Sequence, residues 1–163
     1  MKNTLLATCL LVLMWACDSV DTANETQDSP SKVPFAIAIH GGAGTILKAN
    51  MTAEMEAAYT QILDSVLTTG EKMLQADADA VQVVIEVIKI MENSPFFNAG
   101  KGAVFNTKGE NELDASIMKG ETQEAGAIGG VRNIKNPIEG AYAVMTKSEH
   151  VLLTGKGAEQ FAV

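Results

Sequence analysis

The residues with the strongest chemical character lie in a short glycine-rich run, His40-Gly41-Gly42-Ala43-Gly44. Glycines directly after an apolar stretch let main-chain N–H groups approach a substrate or an oxyanion closely. One use of such a run is the oxyanion loop of an α/β-hydrolase, but that fold needs a Gly-x-Ser-x-Gly elbow, and none occurs here. Phosphate binding fits no better. A P-loop would need Gly-Lys-Ser/Thr after four spacer residues, and a dinucleotide loop would need a third glycine where Leu47 stands. The remaining structural use is a tight turn in which His40 is hydrogen-bonded locally.

Other groups have weaker signals. His40 and His150 are the only histidines, too few for a three-histidine metal site. Glu110, Glu112 and Asp114 bring carboxylates together, and a period of two puts Glu112 and Asp114 on one strand face. Such a cluster serves either as an acid/base pair or as a solvated turn and strand edge. Asn98 lies in a second glycine-rich stretch, Phe96-Phe97-Asn98-Ala99-Gly100-Lys101-Gly102. It reads as an amide that positions a ligand or as a turn residue. Both cysteines, Cys9 and Cys17, fall near the start, so neither a disulfide framework nor a cysteine metal site supports the rest. Twelve Lys and Arg against twenty Asp and Glu give a net charge of −8, with Arg132 the sole arginine. That balance excludes the basic footprint of a nucleic-acid binder.

Positioning these groups requires alternating strands and helices, an α/β (α+β) pattern. Phe35–His40 reads as a buried strand entering the first glycine loop. Asn50 or Thr52 caps a helix through about Gln75, weakened near its end by Gly70, and Asp77 opens a very apolar helix to about Asn93. Ser94-Pro95 ends it. Residues 112–118 and 125–131 form a hairpin around the turn 119–124. Pro137 starts a helix through about Lys147, Val151–Leu153 is a strand, and a last helix begins at Gly157 and runs toward Val163 as though cut in mid-element.

The first 34 residues differ in kind. Lys2 followed by the apolar stretch Leu5–Ala16 has signal-peptide features (residues 1–16) and is too short to span a bilayer, which takes about 20 apolar residues. Met14-Trp15-Ala16-Cys17 resembles a bacterial lipobox, with Trp15 where a small residue is usual; it implies lipidation of Cys17. An ordinary cleaved signal with an incidental cysteine is the alternative. Residues 17–34, polar and carrying Pro30 and Pro34, then form a flexible linker that holds residues 35–163 off a membrane. The expected localisation is export to a bacterial periplasm or to a membrane surface through the lipid anchor.

Four blocks in order resemble one family: Ala36–Gly44, Asn93–Phe105, Glu112–Met118 and Ala125–Val131, continued by Asn136-Pro137-Ile138 and Gly155–Glu159. They are similar to the plant-type (type 2) L-asparaginase / isoaspartyl peptidase family along residues 35–163. The resemblance implies an N-terminal-nucleophile hydrolase with an αββα sandwich, of which this chain would hold the N-terminal, α-side part. Family members cut themselves before a threonine in a Gly-Thr-Val context. The freed threonine then hydrolyses L-asparagine or β-aspartyl dipeptides through an acyl-enzyme, typically in an (αβ)2 heterotetramer. No Gly-Thr-Val occurs in these residues, so the resemblance implies no catalytic nucleophile here, a chain inert by itself, and a β-subunit segment as partner.

By the same resemblance, His40, Gly41, Gly42, Ala43, Gly44 and Asn98 support the active site. The main-chain carbonyls of Met91, Glu92, Ser94, Phe97, Ala99 and Lys101 would hold a structural Na⁺, with no organic cofactor. A non-catalytic lipoprotein subunit or pseudoenzyme, and a glycosylasparaginase-type amidase fragment, are the competing readings.

Overall fold

The computed structural model describes residues 35–42 and 47–162. The signal, Cys17 and linker expectations, together with those for Ala43 and Gly44, lie outside the described residues.

Helix α1 (Ala53–Gln75) starts where the Thr52 hydroxyl accepts the Met55 N–H at 3.2 Å, and Glu54 and Glu56 occupy its positive first turn. Helix α2 (Ala80–Glu92) is capped by Asp79, whose carboxylate accepts from the N–H groups of Val81 and Gln82. The cap falls two residues beyond Asp77, because Asp77 takes a left-handed backbone (φ 57°) in the turn between the helices. Val66 of α1 packs with Val83 and Val87 of α2, and Ile37 and Ile39 complete that cluster. Gly70 is what lets them meet: a Cβ there would lie 3.2 Å from Val87 and would collide with Ile37. A residue that looks like a weak point in the helix is thus a contact point between elements.

Strands β1 (Leu113–Met118) and β2 (Ala125–Val131) form an antiparallel hairpin, and β3 (Leu152–Thr154) adds to β2 in parallel. The strand order is β1-β2-β3. Helix α3 (Pro137–Lys147), with proline at its first position, and helix α4 (Gly155–Phe161) cover one face of this sheet. Beneath them lie Leu113, Ile128, Val131, Val144 and Ala158, with Ile117, Ile138 and Ala141 beside them. Along β1 the residues on the other face, Asp114, Ser116 and Met118, are exposed. Helices on one face and an open second face make a partial αββα arrangement, α+β in class.

The stretch Phe35–His40 departs from expectation. It alternates half-buried and exposed residues, as an extended segment does, yet it pairs with no strand among the described residues. Its apolar side chains settle on α1 and α2 instead.

Candidate functional site

Two loops expected to carry chemistry meet at Phe97. The ring is buried (5% exposed), and a Cβ on Gly41 would sit 3.4 Å from its Cε1 atom. The first glycine loop therefore rests directly on the residue preceding Asn98. Tyr59 of α1 holds this junction from the other side. Its ring is 4.8 Å from that of Phe96 and meets Phe97 edge-on at 6.2 Å. Its hydroxyl donates to the Phe96 carbonyl at 2.9 Å. The two aromatics of the stretch 96–97 are thus structural anchors, a role that the glycine pattern alone does not reveal.

Within the first loop, Gly42 has φ +106° and its N–H donates to His40 Nδ1 at 3.1 Å. That is the locally bonded turn, with His40 exposed at its edge. Asn98 is also engaged: its Oδ1 accepts the Val104 N–H at 3.0 Å. This bond closes the loop 98–104 and leaves the side chain on the surface. His150 lies apart from that junction in sequence, in the turn after α3, where its N–H donates to the Ser148 hydroxyl. No cluster of three His, Cys, Asp or Glu side chains suited to a metal occurs among the described residues.

The loop 91–102 wraps main chain onto main chain. Gly100 has φ +51°, and a Cβ there would collide with the Glu92 carbonyl oxygen. A Cβ on Gly102 would collide with the Phe97 oxygen and lie 2.7 Å from that of Pro95. The carbonyl of residue 92 therefore packs against Gly100, and those of residues 95 and 97 against Gly102, too closely for any side chain. Met91 O accepts the N–H groups of Asn93 and Ser94 at the end of α2, and Ala99 O accepts that of Gly102. Main-chain carbonyl oxygens are the donor type that a hard cation takes.

Glu92 anchors the loop. Its side chain is 4% exposed, with Oε1 accepting the Ile138 N–H at 3.0 Å and Oε2 accepting Asn136 Nδ2 at 2.9 Å. A carboxylate from α2 thus caps the first turn of α3, where unpaired N–H groups favour an anion. Burial pushes this carboxyl above the ordinary glutamate range, against the lowering effect of the two hydrogen bonds.

The carboxylate cluster 110–114 is the exposed turn and strand edge, with each carboxylate paired. Glu110 and Glu112 both clasp Arg132, the former at 2.6 Å and the latter through a short bond to the second guanidinium nitrogen. Asp114 Oδ1 instead accepts the Gly130 N–H at 2.8 Å, beside the register shift between Leu113 and Ala115. The guanidinium holds the Glu112 carboxyl below the usual range, and the Arg132 N–H does the same to Glu159. For depressed carboxyls the stabilisation is present above the ordinary glutamate value and lost as pH falls through the depressed one. Because these groups are exposed, Arg132→Gln should lower the melting midpoint only at low ionic strength. The loss should vanish near about 1 M NaCl, where charges are screened within roughly 3 Å. A salt-independent loss in thermal melts would show that Arg132 acts through packing.

A family model described as asparaginase matches residues 33–163. The isoaspartyl peptidase of Salmonella typhimurium is 48% identical over 126 residues, covering 77% of this chain and 40% of that protein. The isoaspartyl peptidase of Escherichia coli is likewise 48% identical over 126 residues, with 77% and 39% covered. The plant-type L-asparaginase of Pyrococcus abyssi is 45% identical over 130 residues, with 78% and 40% covered. The chain spans about two fifths of the length of these curated relatives.

Proposed function

Since the chain belongs to the asparaginase family, we propose that residues 35–163 supply the α side of an amidohydrolase that cleaves L-asparagine or β-aspartyl dipeptides. The observation that carries this reading is the meeting of the first glycine loop with the Asn98 loop across buried Phe97. It produces a surface of main-chain groups with one amide side chain, suited to cradling a nucleophile and not to supplying one. None of the 163 residues lies in a Gly-Thr-Val context. In this reading the threonine comes from a β-side segment, released by self-cleavage, and its own α-amino group takes the proton from its hydroxyl. The hydroxyl attacks the side-chain amide carbon, and ammonia or the amine leaves before water frees the acyl group.

The carbonyl loop 91–101 would hold Na⁺ through Met91, Glu92, Ser94, Phe97, Ala99 and Lys101 and so fix the shape of the segment bearing Asn98. The ion contributes geometry; no chemical step passes through it. Assembly as (αβ)2 and export with lipidated Cys17 belong to the same proposal. Their support is the family likeness and the order of apolar run, cysteine and polar spacer.

The test is intact-mass spectrometry of the protein from its complete reading frame. Two chains, the second beginning with threonine, are expected. A single uncleaved chain would favour the non-catalytic subunit instead.

A further inference from the structure

We infer that His40 is a positioning residue: its Nδ1 atom, acting as an acceptor, braces the first glycine loop in the shape that the proposed nucleophile cradle requires. The inference rests on the amidohydrolase reading and deepens it by giving this side chain a defined task. Gly42 has φ +106°, a backbone that residues with side chains rarely adopt, and nothing lies within 4 Å of the position its Cβ would take. Packing therefore does not hold this residue, and glycine has more conformational freedom to lose than any other type. The bond from its N–H to His40 Nδ1, 3.1 Å long, supplies the hold.

One residue earlier the loop is fixed in another way. Gly41 lies against the Phe97 ring, with a Leu63 methyl of α1 3.9 Å from its Cβ position. An apolar seat at Gly41 and a polar brace at Gly42 thus secure two successive residues of the turn. The same bond sets the state of the ring. A histidine nitrogen accepts only through its lone pair, so the proton sits on Nε2 and the imidazole is neutral. The Gly42 N–H is spent within the turn and is not offered to an oxyanion. The loop serves the site by its shape, and His40 acts through Gly42 rather than on the reacting atoms. An asparagine side-chain oxygen accepts from the N–H two residues on in the same manner, whereas alanine has no acceptor.

The experiment compares wild type, His40→Asn and His40→Ala, each matured from the complete reading frame. In His40→Ala, kcat for L-asparagine should fall about fivefold, the worth of one exposed hydrogen bond, with KM unchanged. His40→Asn should keep kcat within about twofold of wild type. Imidazole ¹⁵N spectra at about pH 8, where the signals of His40 are those missing from His40→Asn, should show a bare Nδ1 and a protonated Nε2. A proton on Nδ1, full activity in His40→Ala, or an equal loss in both variants would overturn the inference. A wild type that hydrolyses neither L-asparagine nor a β-aspartyl dipeptide would instead remove the amidohydrolase reading. In that case, or if His40→Ala does not fold, the spectrum alone decides the brace.

Discussion

Replacing Gly126 with alanine should destabilise the domain by about 3 kcal/mol or more, lowering its melting midpoint by roughly 10 °C. Gly126 is buried in β2, paired with Ile117 of β1. An added methyl would collide with the Ala141 carbonyl oxygen and the Met145 nitrogen, and would lie 2.7 Å from Met145 Cβ. Two of the three obstacles are main chain and the third is fixed to it, so no rotamer change relieves the overlap. Either α3 lifts from the sheet or β2 bends, and both disturb the cluster of Ile85, Ile117, Ile138 and Ala141. The control is Gly120→Ala in the hairpin turn, where nothing lies within 4 Å and φ is not positive. It should change stability by no more than about 0.5 kcal/mol. Equal melting midpoints for the two variants would show that α3 does not approach β2 as described.

Gly102→Ala should act on the site as well as the fold. The methyl would press on the Phe97 and Pro95 carbonyls, which belong to the loop that also carries Asn98. A loss of about 2 kcal/mol is expected from overpacking alone. Na⁺ binding by the proposed loop should weaken with it, because the Phe97 oxygen, one of the six named for the ion, is displaced. In an assembled enzyme, hydrolysis should fall with no matching defect in the hairpin, whose register lies elsewhere. Urea unfolding together with a Na⁺ titration checks this, and an unaltered Na⁺ response in a folded Gly102→Ala chain would contradict it.

Local chemistry explains what the sequence makes visible. Thr52 before Ala53, Pro137 at the start of α3 and the alternation through 112–118 each announce an element by interactions within a few residues. The hairpin turn 119–124 is equally local. What stays hidden depends on distant partners. Glu92 and Asn136 are 44 positions apart, and nothing near Glu92 signals a carboxylate turned inward to cap another helix. Arg132 reaches back to Glu110 and Glu112, so the acidic cluster reads as either an acid/base pair or a solvated edge until its cation is placed. Gly70 reads as a weak point in its helix, whereas Gly70, Gly126 and Gly140 are each a place where two elements touch. Phe35–His40 has the composition of a buried strand, but strand character is completed by a neighbour, and the described residues supply none.

In the site itself, the glycine loop and the Asn98 loop were each legible as motifs. Their meeting at Phe97 was not, because it depends on Tyr59 and the packing of α1. The central claim is that these loops form one half of an active site whose nucleophile comes from a β side. The most direct measurement is ammonia release from L-asparagine, and cleavage of a β-aspartyl dipeptide, by the purified 163-residue chain, alone and co-expressed with the β-side segment of a matched relative. No turnover is expected from the chain alone, and clear turnover after assembly. Turnover by the chain alone, or none from a cleaved and assembled pair, would contradict it.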